Sequence, residues 1–262
     1  MSPRGASIVD AGSEERSEPV ARQPIEAVIF DWGGTLADYA AIELIDMWRI
    51  TAHHLADHID VPEPEILARL TAVEERMWAR TTTDARAASL SDLLAEATQE
   101  LGADVTTAVL EEAGTHYLDT WTPHIVHDAQ AVEVLTALRA RGLRIGLLSN
   151  THWPPAYHEH FLERDGLVDL IDARAYTSEM TYMKPHPEAF RHALDAVGVT
   201  DAARAVFVGD RLFDDVFGAQ CAGMRAVHRV NSRVSTYDVR PDATIERLEE
   251  LVPIIDGWLR EA

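Results

Sequence analysis

Four stretches of this chain run apolar and then stop on a residue that can do chemistry. Val28, Ile29 and Phe30 lead into Asp31 and the break Gly33-Gly34, and residues 144–148 lead into Ser149-Asn150. Lys184 stands just after a short run at 172–178, and residues 205–208 lead into Gly209-Asp210, with Asp214 and Asp215 close behind. A carboxylate nucleophile, a hydroxyl and an amide able to hold an oxyanion, one ammonium and an acidic pair make a set for phosphoryl chemistry with a hard divalent cation. Mg²⁺ takes oxygen ligands and prefers one or two carboxylates together with substrate phosphate and water. A lysine serves such a site as a point charge for the phosphate. Lys184 is the only lysine in the chain, in a sequence that otherwise uses arginine for every permanent positive charge.

These residues meet only if their strands lie parallel. Runs apolar on both faces read as buried parallel strands, and ligands of open α/β sheets bind at the carboxyl ends of such strands. After Pro123 the pattern alternates: helix 129–141 closed by Gly142, strand 144–148, helix 154–163, strand 172–178, helix 187–197, strand 205–208, helix 215–222 and strand 225–230. That rhythm predicts an α/β fold, a doubly wound parallel sheet that begins with the strand at 27–31. Between them, residues 40–122 carry helical spacing only, as in Ile66, Leu70, Val73 and Met77, and read as about four helices inserted after the first strand. Residues 1–23, rich in Ser, Glu, Arg and Gly, read as a disordered tail. The expected division is therefore a tail at 1–23, a sheet core at 24–39 and 123–262, and a helical cap at 40–122, hinged near 38–40 and 121–124. Residues 244–259 read as two short helices around Pro253.

Composition narrows the partners. At 262 residues the chain can bury a sizeable core. Lys+Arg of 23 against Asp+Glu of 44 gives a net charge of −21, which disfavours nucleic acid and anionic membrane surfaces. One cysteine, Cys221, rules out an internal disulfide and suits a reducing compartment. No apolar run approaches the roughly 18 residues of a membrane span, and the amino terminus lacks an apolar signal core, so the expectation is a cytoplasmic protein.

In this order and spacing, DWGGTL at 31–36, LLSN at 147–150, KPHPEAF at 184–190 and VGDRLFDDVFGAQCAGM at 208–224 resemble the four motifs of the haloacid dehalogenase superfamily of hydrolases. The resemblance covers about residues 24–255, with the helical insertion where one class of that family carries its cap. It implies that Asp31 is a nucleophile forming an aspartyl-phosphate, that Ser149 binds the transferred group, and that Lys184 neutralises both. It further implies Mg²⁺ held by the Asp31 carboxylate, the backbone carbonyl of Gly33, and Asp210, with Asp215 close by or acting through water. Thr35 and Asn150 fall on the substrate side, and the substrate class is a small phosphorylated metabolite.

The chain departs from the pattern at Gly33. Phosphatases of the family carry there a second Asp, which protonates the leaving oxygen and later activates water. The metal site needs only the backbone carbonyl, but general acid/base help of on the order of 10²–10⁴ in rate is lost. Asp38 matches an acid common in relatives that already have theirs. Two other readings stay open: a 2-haloacid dehalogenase, whose fourth motif lacks the metal-binding acids kept here, and a pseudoenzyme that binds a phosphometabolite or a protein partner without turnover. A phosphonoacetaldehyde hydrolase is excluded, because the inserted segment has no lysine for a Schiff base.

Other residues give weaker signals. His152 and His186, beside the second and third motifs, are rim residues and the candidates for a replacement acid/base. Arg80 and Arg86 flank the TTTD stretch, placed to grip an anionic substrate or simply solvated. Trp48, Met77 and Trp78 read as core of the insertion rather than a substrate platform, and Cys221 as a small core residue. His54 and His58 have the four-residue spacing of a metal pair, but 12 histidines make one such pair an expected coincidence.

Overall fold

A computed structural model describes residues 24–38 and 43–261; the tail expected at 1–23 and part of the first expected hinge lie outside them. Six parallel strands form one sheet in the order β3-β2-β1-β4-β5-β6. They are β1 (Ala27–Phe30), β2 (Arg144–Ser149), β3 (Ala173–Tyr176), β4 (Ala205–Gly209), β5 (Arg225–Arg229) and β6 (Ala243–Ile245). The chain winds outwards from β1 in both directions, which puts a topological switch point at the carboxyl end of that strand. Phe30 is in register with Leu147 on one side and Val208 on the other, so β1, β2 and β4 run out to the same edge, β2 and β4 reaching slightly beyond β1 to Ser149 and Gly209.

The sheet is buried on both faces because its strands are apolar on both. Val28 and Phe30 face a core shared with α6 (Ala131–Arg139), α7 (Pro155–Arg164) and α10 (Leu251–Arg260), while Ala27 and Ile29 face α8 (Pro187–Ala196) and α9 (Gly218–Cys221). Among its described residues the inserted segment holds five α-helices: α1 (Leu44–Met47), α2 (Arg49–Ala56), α3 (Glu63–Ala79), α4 (Leu90–Glu100) and α5 (Thr107–Trp121). Trp48, Leu55, Ile66, Leu70, Leu94 and Tyr117 make its buried interior. A capping box starts α4: the Asp92 N–H donates to Ser89 Oγ at 3.2 Å and the Ser89 N–H to Asp92 Oδ2 at 2.8 Å.

The insertion is tied to the sheet by main-chain hydrogen bonds. Ala87 N–H donates to the Thr181 carbonyl (3.1 Å), Met183 N–H to that of Ala85 (2.8 Å), and Leu90 N–H to that of His152 (2.7 Å). Residues 85–87 thus run antiparallel to 181–183, immediately before Lys184.

Three expectations from the sequence are corrected. Residues 243–245 form the edge strand β6, and Pro253 sits in the first turn of a single helix α10, where its missing N–H would have had no intrahelical partner. The helix expected at 215–222 begins earlier, as a π-helical turn at Leu212–Phe217 that leads into α9. Cys221 is exposed, on the outward face of that short helix.

Candidate active site

The carboxyl ends of the strands bring the chemistry-bearing residues together on one edge. Asp31 follows β1, its N–H donating to the Val208 carbonyl of β4 at 2.8 Å. The Lys184 ammonium, 1% exposed, donates to Asp31 Oδ1 at 2.6 Å and Asp215 Oδ1 at 2.7 Å. It lies 5.1 Å over the centre of the Phe207 ring. Asp215 Oδ2 accepts the Arg211 N–H at 2.8 Å, so the π-helical turn folds this side chain back onto the end of β4. Gly209 makes the return possible: a Cβ there would stand 2.4 Å from the Asp215 side chain. Asp210 Oδ2 accepts from Asn231 Nδ2 at 2.8 Å, and its backbone carbonyl accepts from His228 Nε2 at 3.1 Å. Ser149, at the end of β2, lines the same cavity.

Charge in this cluster is unbalanced. Asp31, Asp210 and Asp215 bring three carboxylate oxygens within 4.8 Å of one another. Fully ionised, they would set three negative charges against one ammonium, −3 + 1 = −2, the charge that a bound divalent cation neutralises. Burial, with Lys184 opposing, raises the Asp31 carboxyl to about 6. Burial and then the neighbouring Asp31 and Asp215 raise Asp210 to about 8. Burial and Asp215 raise Asp214 to about 6. Burial also works against the Lys184 charge, but Asp215 and Asp31 outweigh it and hold the ammonium above its ordinary range. Asp210 Oδ1 is buried with no hydrogen-bond partner. A set of oxygen donors with one orphaned carboxylate oxygen and, once ionised, two surplus negative charges fits Mg²⁺.

Above the cluster is a cavity of about 210 Å³ whose upper wall is aromatic: Trp78, Tyr117 and Trp121 from the insertion meet Trp32, His152 and Trp153 from the sheet loops. Among its lining residues the permanent positive charges are Lys184 and Arg211, both from the strand-end loops. Burial holds His152 neutral, its basicity lowered to about 3, and does the same to His158. Glu74 of α3 also lines the cavity and is 2% exposed. It accepts from Trp48 Nε1 (2.6 Å), Trp78 Nε1 (3.2 Å) and the Tyr117 hydroxyl (3.2 Å), and that hydroxyl is 3.1 Å from His152 Nε2.

Burial raises Glu74 from 4.5 to about 7, against those three donors. A carboxyl that binds its proton more tightly folded than unfolded makes the protein most stable below the unfolded value. Stability then falls as pH rises towards 7, by up to roughly 3 kcal/mol for this group. Glu74→Gln cannot ionise, so the wild-type minus variant difference in unfolding free energy should shift against the wild type between pH 4.5 and 8. Urea melts across that range measure it; parallel pH profiles would contradict the assignment.

The other sequence candidates fall differently. Thr35 is buried beside the nucleophile loop, its carbonyl accepting from Arg229, and does not line the cavity. Asn150 lines it, but its side chain is held by Lys184: Asn150 Nδ2 donates to the Lys184 carbonyl (2.9 Å) and Asn150 Oδ1 accepts the Lys184 N–H (2.8 Å). Arg80 turns to Glu96 on α4 at 3.4 Å, and Arg86 lies exposed over the Tyr182 ring; neither lines the cavity. Gly33 lines it, whereas His186 stacks on Tyr182 and caps α8. Trp48 and Met77 are buried core, while Trp78 reaches the cavity. Glu74 and Tyr117 carried no sequence signal beyond their place in a helical apolar pattern.

Similarity to known proteins agrees with this geometry. The family model of haloacid dehalogenase-like hydrolases matches residues 25–223. A glyceraldehyde 3-phosphate phosphatase of Pyrococcus abyssi is 32% identical over 131 residues, 48% of this chain and 54% of that protein. A pyrimidine 5'-nucleotidase of Escherichia coli is 30% identical over 126 residues, 48% of this chain and 55% of the relative. The chain thus spans about half the length of these relatives. Among solved structures, a 2-haloacid dehalogenase from Pseudomonas syringae superposes with a TM-score of 0.66 at 26% identity, covering 89% of this chain and 99% of the other. A HAD phosphatase from Thermococcus onnurineus gives 0.62 at 23%, with the same coverage, a likeness that shows the fold. With a sheet wound outwards from β1, Asp31 at its switch point and a family match over most of its length, the chain belongs to the haloacid dehalogenase-like hydrolases.

Proposed function

We propose that the protein is a Mg²⁺-dependent phosphohydrolase that works through an aspartyl-phosphate at Asp31 and acts on a small monophosphate whose flat leaving group departs as a stable anion and carries no second anionic group. The observation that carries this reading is the cluster of three carboxyl groups around the single Lys184 ammonium, with an orphaned Asp210 oxygen. Asp31, the Gly33 carbonyl and Asp210 would hold the ion, with Asp215 behind them. Bound there, Mg²⁺ supplies charge for the transferring phosphoryl oxygens.

This chain's own residues do the rest. Lys184 keeps Asp31 ionised and oriented, and Asn150 fixes the Lys184 backbone. An Asp31 carboxylate oxygen attacks phosphorus, the bond from phosphorus to the leaving oxygen breaks, and Ser149 steadies a phosphoryl oxygen. Water then attacks the phosphorus of the aspartyl-phosphate, releasing inorganic phosphate and restoring the carboxylate. The segment 40–122 acts as the cap, excluding water from the cavity.

The leaving-group class rests on two independent features. Gly33 supplies no proton, which favours leaving groups that depart as stable anions, such as phenolates, enolates or carboxylates. The insertion's wall offers Trp78, Tyr117 and Trp121 and no positive charge to grip a second anion. The curated relatives named for phosphatase activity support the phosphoryl chemistry.

A panel of aryl, acyl and alkyl phosphates and 2-haloacids, run with Mg²⁺ and with chelator, tests the reading. Phosphate release from aryl or acyl phosphates that chelator abolishes is expected. Halide release that survives chelation would establish the dehalogenase instead. Labelling of the protein without turnover would establish a binding protein.

A further inference from the structure

A second group of ligand-type side chains lies within the helical insertion, apart from the residues that line the cavity. Glu112 and His116 are one turn apart on α5, and His54 faces them from α2, the helix packed against it. One ligand atom from each of the three lies within 4.8 Å of the other two. His54 Nε2 is 4.0 Å from Glu112 Oε2, too far for a hydrogen bond. The His54 and His116 rings are 4.9 Å apart between centroids.

The decisive atom is His54 Nε2. It is buried and has no hydrogen-bond partner, although a carboxylate stands just beyond reach. A buried polar atom left unpaired is destabilising, and packing of imidazole rings does not remove that cost. An ion between the three groups would. Two ligands of a tetrahedral ion, each about 2.1 Å from it, stand about 3.4 Å apart. His54 and Glu112 therefore need to close by about 0.6 Å, and the Glu112 side chain, 64% exposed, is free to swing.

We infer that His54, Glu112 and His116 form a binding site for a borderline divalent transition metal of the zinc class, clipping α2 to α5. Two imidazoles and one carboxylate are the donors that Zn²⁺, Co²⁺ and Ni²⁺ share, whereas Mg²⁺ and Ca²⁺ take oxygen sets. Three protein ligands leave a position for water on the exposed Glu112 side. The site differs in chemistry from the all-oxygen cluster at the strand ends, so the two sort metals by hardness. It also adjoins the cavity through sequence, since Tyr117, the next residue after His116, reaches Glu74 and His152. This inference stands whether or not the phosphohydrolase reading holds.

The test uses the full chain with saturating Mg²⁺, so that the strand-end carboxylates are already occupied, and titrates Zn²⁺ alone by calorimetry. Co²⁺ is titrated in parallel and followed by its visible ligand-field absorption. One equivalent of Zn²⁺ should bind saturably, and Co²⁺ should develop intense bands of a low-coordinate site with nitrogen ligands. Loss of an outer-shell partner already weakens metal binding by about 10–100-fold, so loss of a direct ligand in Glu112→Gln or His116→Ala should weaken it by on the order of 100-fold or more. Glu112 is exposed, so its variant leaves the packing of the insertion untouched. No saturable Zn²⁺ uptake by the wild type, or an isotherm unchanged in both variants, would overturn the site.

Discussion

Asp31→Asn should abolish turnover, by on the order of 10⁴-fold or more, because the amide keeps the shape of the nucleophile and removes its ability to attack phosphorus. The same change should make the metal-free protein more stable, since it removes one of three carboxylates that share a single ammonium. A loss of activity accompanied by a rise in melting temperature without Mg²⁺ separates loss of chemistry from loss of fold. Retained turnover would refute the covalent route. Lys184→Ala should also inactivate, and here the fold should suffer, because deleting one partner of a buried ion pair costs about 3–5 kcal/mol. Lys184→Arg should not restore activity: the ammonium is fully enclosed between Asp31, Asp215 and the Phe207 ring, and a planar guanidinium has no matching space.

The second large effect concerns the missing acid. Without a carboxyl at residue 33, the rate should depend steeply on the leaving group, with acyl phosphates and acidic aryl phosphates far ahead of alkyl phosphates. Gly33→Asp should then speed alkyl substrates preferentially, by up to roughly 10²-fold, with Mg²⁺ affinity nearly unchanged. The backbone permits the test. Of the two glycines in this turn only Gly34 adopts the left-handed conformation (φ 83°), so a side chain at 33 needs no strained φ. If the wild type hydrolyses alkyl phosphates as readily as aryl ones, a different acid operates. Glu74 is then the first candidate: it lines the cavity and is raised to about 7, whereas burial leaves His152 without a proton to give.

The sheet was legible because its signals are local. The strands β1, β2 and β4 are short apolar runs that lead into a marker residue, and the helices are closed by Gly142, Gly198 and Gly223, all left-handed in the structure. Once the strands are parallel, Asp31, Ser149, Lys184, Asp210 and Asp215 have one edge to share, and the structure brings them there. What the sequence hid depends on contacts across the chain. Glu74 looks like a surface acid on an amphipathic helix until Trp48 from the junction of α1 and α2, Trp78 from its own helix and Tyr117 from α5 surround it. Asn150 was readable as an oxyanion donor, but its amide closes a ring with the Lys184 backbone. Arg80 and Arg86 had the right charge, and the fold turns one to Glu96 and the other outwards. His54 met His116 and Glu112 only when α2 was laid on α5. Edge strand β6 is three residues long, too short to show a period.

The most direct test of the covalent mechanism is the mass of the Asp31 peptide after a single turnover. Protein, Mg²⁺ and an aryl phosphate are mixed, quenched in acid within one turnover, digested and weighed. A phosphoryl adduct is expected on the peptide that carries Asp31, absent with chelator and absent in Asp31→Asn. Product formation with an unmodified Asp31 peptide at every time point, or a substrate-carbon ester on Asp31 from a 2-haloacid without Mg²⁺, would contradict it.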